Sequence, residues 1–170
     1  MDLTGQVAAL AAQVRALQDL MEIRRLKSQY VKCNDGGWPG RPTSHMGSMD
    51  ELFVEDGIWD GRPALPMKAG RASIKDWVES ELRAVPFAIH NVMNDFIEVD
   101  GDTARGTWQY VLMATMPDGE HLGFSGNYHE TYVRTLEGWR FQTIRAETTR
   151  IWRQEQGWGA APSEPAAPAS

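Results

Sequence analysis

Cysteine is almost missing from this chain: Cys33 stands alone. One thiol excludes an internal disulfide and a multi-cysteine metal site, which suits a reducing compartment. Long apolar runs are missing too. No stretch approaches the roughly 20 residues a bilayer-spanning helix needs, and the opening MDLTGQ has neither the basic n-region nor the apolar h-region of a signal peptide. A soluble, cytoplasmic protein is the expectation. Positive charge is in short supply, with 17 Lys and Arg against 23 Asp and Glu, a formal charge of −6 and no basic cluster. Neither nucleic acid nor an anionic membrane therefore finds an electrostatic footprint. Several catalytic signatures are also lacking. GFSGN at 123 to 127 is not a G-x-S-x-G elbow, no Walker or G-x-G-x-x-G glycine pattern occurs, and no His pair has zincin spacing. What remains is acid–base chemistry by side chains, and the charge balance suits a small neutral or aromatic ligand.

Tryptophan, by contrast, is plentiful, at seven in 170 residues. Some must be core, and aromatic side chains also line pockets for flat apolar ligands. The length suits one well-buried domain, taken as residues 1 to 156. Leu3, Val7, Leu10, Val14, Leu17 and Met21 recur at spacings of four and three, which predicts an amphipathic helix over 3 to about 21 with a narrow, coiled-coil-like stripe. Packing of that stripe on its own domain is the simpler expectation; a subunit contact is the other. A second phase, Ile23, Leu26, Tyr30 and Cys33, stops at Gly36-Gly37.

Residues 39 to 48 read as a loop, MDELFVEDG as a short helix ending at Gly57, and Ile58-Trp59-Asp60 as a strand. ASIKDWVESELRAV reads as a compact helix. From Ala88 onward the pattern is extended: strands separated by turns at Asp100-Gly101-Asp102, Pro117-Asp118-Gly119 and Glu137-Gly138. The tail 157 to 170 is Pro/Ala/Ser-rich and expected to be disordered. Helices followed by a long antiparallel meander imply an α+β fold, a strongly curved, mostly antiparallel sheet wrapped as a cone-shaped barrel around the helices with a cavity between. The meander would leave a broad convex face, so a homo-oligomer, dimer or trimer, is expected.

His90 is the best candidate for a general base, because its unperturbed pKa of about 6.5 lets it both take and return a proton. On a strand, Ala88, His90, Val92 and Asn94 would share one face. A lone strand histidine is more often structural. His45 and His121 fall in or beside loops, and His129 is on a strand. Asp35 is a poor local choice beside the negative end of a helix dipole, which hints at another reason for it. Tyr30 reads as core. The five-residue step from Tyr30 to Asp35 rotates about 140°, so both face one cavity only if the helix unwinds before the glycines. Lys27 could polarise the phenol, although a solvated lysine is the simpler reading. Trp108, Tyr110 and Leu112 share a strand face and are candidates for the pocket wall; Asn127 and Arg145 are candidate polar anchors.

With these residues in hand, the chain resembles the SnoaL-like branch of the nuclear transport factor 2-like superfamily. The resemblance covers about residues 20 to 155 and is carried by IRRLKSQYVKCNDG, DELFVEDGIWDG, GRASIKDW, AIHNVMNDFIEVDGDTARGTWQYVL and GNYHETYVRTLEGWRF, in that order. The opening helix and the His strand are most similar to bacterial bile-acid 7α-dehydratases, and also to scytalone dehydratase and to dehydrochlorinases with a His–Asp dyad. The resemblance implies a cofactor-free lyase, a dehydratase or a dehydration-coupled formaldehyde lyase acting on a hydroxylated aromatic or polycyclic small molecule, in which Tyr30, Asp35 and His90 line the cavity. One departure is that the steroid dehydratases place a further aspartate where this chain aligns Leu112. The chain is also similar to the γ-formaldehyde lyases of lignin-derived aromatic dimers, and its aromatic residues Trp59, Trp108 and Tyr110 suit such a ligand. The same superfamily includes isomerases, non-catalytic binding modules and the β subunits of ring-hydroxylating dioxygenases, so an assembly subunit or an isomerase is the alternative.

Overall fold

The computed structural model describes residues 2–37, 48–155 and 157–158. Asp2 caps the first helix, its carboxylate accepting the Gly5 amide at 2.8 Å. Helix α1 then runs unbroken from Leu3 to Asn34, so both apolar phases belong to one rod. Only its second half packs on the domain. Ile23, Leu26, Lys27 and Tyr30 are buried, whereas Leu3 is 76 % exposed, Leu10 61 %, Leu17 62 % and Met21 64 %. The expected packing of the early stripe on its own domain therefore does not occur. The cause is the phase change: the step from Met21 to Ile23 turns about 200°, so the stripe points away from the face that meets the sheet. The rod is moored where the domain begins. Arg24 pairs with Asp95 at 2.9 Å, and Asp19 accepts from the Trp139 indole at 3.2 Å and from Arg134 at 2.7 Å.

Six strands form one open sheet: β1 (Phe53–Asp60), β2 (Met67–Ala69), β3 (Phe87–Asp100), β4 (Thr103–Thr115), β5 (His121–Thr135) and β6 (Gly138–Arg153). Their order is β2-β1-β6-β5-β4-β3. All neighbours are antiparallel except β1 and β6, which are parallel. The architecture is α+β, and the cone is not a closed barrel, because β2 and β3 remain edges. Helix α2 (Arg71–Ser80) buries Ile74, Trp77 and Val78. The short helix expected to reach Gly57 is confined to a 3-10 turn at Met49–Leu52, and β1 already starts at Phe53. Pairing with β6, Phe53 opposite Phe141 and Trp59 opposite Ile144, outweighs the local helical pattern.

The core lies between the sheet and the second half of α1, with Phe53, Tyr132, Phe141 and Ile144 essentially sealed from solvent. A bulge between Met93 and Phe96, with Asn94 at φ 53°, breaks the alternation of β3. Asn94 thus leaves the face shared by Ala88, His90 and Val92 and instead donates to Gln109 at 2.6 Å in solvent. The loop expected over 39 to 48 lies, apart from Ser48, outside the described residues, and so does His45. Of the expected tail, Gly157 and Trp158 are placed, the Trp158 indole donating to the Ala114 carbonyl at 2.9 Å; residues 159 to 170 are outside the described set.

Candidate active site

The end of α1 builds the site. Helical geometry stops at Asn34, and Asp35 is extended at φ −93° and ψ 149°. Gly36 then forms an isolated antiparallel bridge with Ala88, through main-chain bonds of 2.9 and 3.0 Å in the two directions. Gly37 is held at φ 95°, where a Cβ would fall 2.2 Å from the Pro86 carbonyl oxygen; only glycine fits. With Gly36 opposite Ala88, the Asp35 side chain reaches His90. Its Oδ1 accepts the His90 main-chain N–H at 2.9 Å and lies 2.6 Å from Nδ1 of the ring. Both side chains are almost buried, at 8 % exposure for His90 and 10 % for Asp35. An ionised Asp35 places the ring proton on Nδ1 and leaves Nε2 with its lone pair for a ligand.

His90 borders a cavity of about 90 Å³ enclosed by α1, α2 and the helix-facing side of the sheet. Tyr30, Trp59, Tyr110 and Leu112 line it, together with Asn34, Trp77, Phe124, Tyr128 and Thr148. Trp59 and Trp77 pack with ring centroids 4.4 Å apart, and Tyr110 and Tyr128 at 4.6 Å. Leu112 lies directly across from His90 in the β3–β4 register. The wall beside the imidazole is therefore apolar. The Tyr30 hydroxyl accepts from the Trp59 indole at 3.0 Å. Burial pushes the Tyr30 pKa well up, and the hydrogen bonds from Trp59 and Tyr128 pull it only partly back. With two donors aimed at its oxygen, the phenol keeps its own proton to offer.

The other sequence candidates lie elsewhere. Lys27, for which solvation was the simpler expectation, is fully buried beneath the cavity floor and bonded to Glu130 at 2.5 Å. Its ammonium lies 3.4 Å from the Tyr128 ring centroid and 4.6 Å from that of Tyr30. Burial lowers its pKa, and the Glu130 charge opposes that fall. Glu130 also accepts from the Tyr132 hydroxyl, which in turn receives the Trp108 indole at 3.0 Å. Trp108 thus serves this network and does not border the cavity. Asn127 and Arg145 are on the opposite face of the sheet, with Asn127 across from Gln109 and Glu147. They point away because Gly126, Tyr128 and Glu130 take the inward positions of β5. Sequence reasoning missed Tyr128 and Glu130; alternation along GNYHETY would have paired them with Tyr132, but nothing local marks a glutamate as buried. Among the described residues, no group of three His, Cys, Asp or Glu side chains is arranged to hold a metal ion. Among the described residues, no helix is long and apolar enough to cross a membrane.

Fold and cavity together define a small α+β protein of the nuclear transport factor 2-like type, in which helices close the mouth of a curved sheet over an apolar hollow. The sequence places it further: a model of the SnoaL-like domain matches residues 15–145, and the chain belongs to that family. A hexachlorocyclohexane dehydrochlorinase, LinA type 2, superposes with a TM-score of 0.74 at 17 % identity, covering 89 % of this chain and 99 % of the other. A protein of Novosphingobium aromaticivorans described as NTF2-like, with a cystatin-like fold, gives 0.65 at 27 % identity over 87 % of this chain and 90 % of its own. One from Novosphingobium aromaticivorans DSM 12444, provisionally assigned as a scytalone dehydratase, gives 0.67 at 20 % over 89 % and 97 %. No curated protein matches the sequence significantly.

Proposed function

We propose that this chain is a cofactor-independent lyase that eliminates water, or a one-carbon fragment after loss of water, from a hydroxylated aromatic small molecule. The observation that carries the reading is the Asp35–His90 contact at the rim of an apolar cavity. His90 Nε2 takes a C–H proton from the substrate; that electron pair forms a C=C bond as the hydroxyl on the adjacent carbon departs. The imidazolium then returns the proton to the leaving oxygen, and water is released. Asp35 fixes the ring tautomer and offsets the charge that forms on it. Tyr30 donates to the departing or developing oxyanion, a contact that in a dry cavity contributes on the order of 3 kcal/mol. In the one-carbon variant, water leaves first. A para-hydroxyl on the aryl ring gives up its proton as the benzylic hydroxyl departs, leaving a quinone methide; removal of the proton from the neighbouring CH₂–OH then breaks the C–C bond, releasing formaldehyde while the electron pair forms the alkene and restores the aromatic phenolate.

The lining aromatics Tyr30, Trp59, Trp77, Tyr110, Phe124 and Tyr128, with Leu112 across from His90, support a flat, apolar substrate core. The dehydrochlorinase and dehydratase neighbours, which share the fold, agree with an elimination. The test is turnover by the purified chain with no added metal or nicotinamide, on a panel of β-hydroxylated aryl compounds followed by the absorbance of the conjugated alkene. Formation of alkene and water, or of alkene, water and formaldehyde, is expected. Stoichiometric binding without turnover, together with co-purification of a second polypeptide, would instead identify an assembly subunit.

A further inference from the structure

The exposed half of α1 has an order of its own. If Val7 is placed at the first position of a heptad, Val14 and Met21 repeat it, while Leu3, Leu10 and Leu17 take the fourth position. Valine, β-branched, at two of the three first positions with leucine at every fourth favours two parallel strands over three or four. The flanking positions are neutral, with Gln6 and Gln13 on one side and Ala11 and Gln18 on the other. From Leu3 to Gln18 the only charged side chain is Arg15, away from the seam. Nothing along this face repels an identical copy. The seam also stops where it should, because the next fourth position is Arg24, which is committed to Asp95 of its own domain.

Alternative occupants fit less well. The domain itself cannot cover the seam, because Ile23, Leu26 and Tyr30 face the sheet from the other side of the rod. The outer sheet face, the other candidate for self-association, exposes Met93, Phe96 and Trp152, but it has no heptad-like order and mixes them with polar side chains that pair with one another: Asn94 with Gln109, His129 with Glu147. A helix of this length with no tertiary packing is marginal in water, so a partner helix stabilises what the sequence has already patterned.

We propose that Leu3–Met21 forms a parallel two-stranded coiled coil with the same segment of a second copy, about 28 Å long. The two domains then sit side by side at its C-terminal end, each keeping its own cavity. Light scattering of the full chain at micromolar concentration should give twice 19.1 kDa. Leu10→Asp with Leu17→Asp should reduce it to one chain without changing the thermal midpoint of the domain by near-ultraviolet dichroism, since neither side chain touches the core; Ala12→Glu, on the outer side of the rod, should leave the dimer intact. In a Cys33→Ser background, Leu3→Cys should oxidise to a covalent dimer, because parallel strands bring the two copies of residue 3 together, whereas antiparallel strands hold them far apart. A monomeric wild type, a trimer, a dimer that survives the double substitution, or no crosslink would each overturn the proposal.

Discussion

One oxygen of Asp35 serves His90 twice, accepting its main-chain N–H at 2.9 Å and lying 2.6 Å from its ring Nδ1. The main-chain bond sets where the carboxylate sits; the ring contact uses that position. Asp35→Asn keeps the shape and removes the charge, and His90→Ala removes the proposed base. Each should lower kcat at least about a hundredfold with the dichroism spectrum unchanged. A rate within a few-fold of wild type in either variant would remove the pair from the mechanism.

Tyr30→Phe separates two roles of one hydroxyl. Loss of the donor should lower kcat with little effect on KM, by about a hundredfold. Loss of the acceptor leaves the buried Trp59 N–H without its partner, at a cost of about 1–3 kcal/mol in urea denaturation. A rise in KM with kcat unchanged would contradict the assignment.

Alkali should act on the fold through its tyrosines. The chain has four, and burial pushes the pKa of Tyr30, Tyr110, Tyr128 and Tyr132 upward in every case. A phenol whose folded pKa lies above its unfolded value contributes stability that is intact below about pH 10 and is lost as pH rises beyond it, because there the unfolded chain releases protons that the native state retains. Absorbance at about 295 nm should therefore show no ordinary tyrosinate titration in the native protein, and ionisation should coincide with unfolding. A normal titration near pH 10 with native dichroism would refute this.

The buried Lys27–Glu130 pair should be costly to break and less costly to remove. Lys27→Met strands Glu130 in the interior and should destabilise by about 3–5 kcal/mol, whereas Lys27→Met with Glu130→Leu should recover about half of that, the remainder reflecting the Tyr132 hydroxyl left without its acceptor. Chemical denaturation of the three proteins measures the coupling directly.

Asn127→Ala and Arg145→Ala serve as controls for cavity membership. Both residues face away from the hollow, so each should keep kcat/KM within about twofold of wild type, the range expected of remote surface changes. A larger fall would mean that the outer sheet face takes part in turnover.

Much of the fold was legible because periodicity is local. The four and three spacing of α1, the turns at Gly101, Gly119 and Gly138 and the alternation of β4 all reflect neighbours in the chain. Trp108, Tyr110 and Leu112 do share a face, although only the last two border the cavity. What escaped depends on pairing at a distance. The helical pattern of DELFVEDG yields to a parallel partner almost 90 residues later, and one bulge turns Asn94 outward. Lys27 is buried because Glu130 awaits it, and no window of sequence contains both. Tyr30, Asp35 and His90 could be named as candidates from residue type, but the contact of Asp35 with His90 required the helix to end one residue before the carboxylate, a boundary that composition does not specify.

The bridge between Gly36 and Ala88 has a consequence for how the protein fails. It fastens the terminus of the rod to β3, a rim strand of the sheet, and the same few hydrogen bonds hold the carboxylate against the imidazole. Rim strands fray before interiors melt. Warming should therefore unlatch this corner first, silencing the molecule while most of its architecture still stands, and the amide protons of Gly36, Ala88 and His90 would exchange with solvent as the earliest sign.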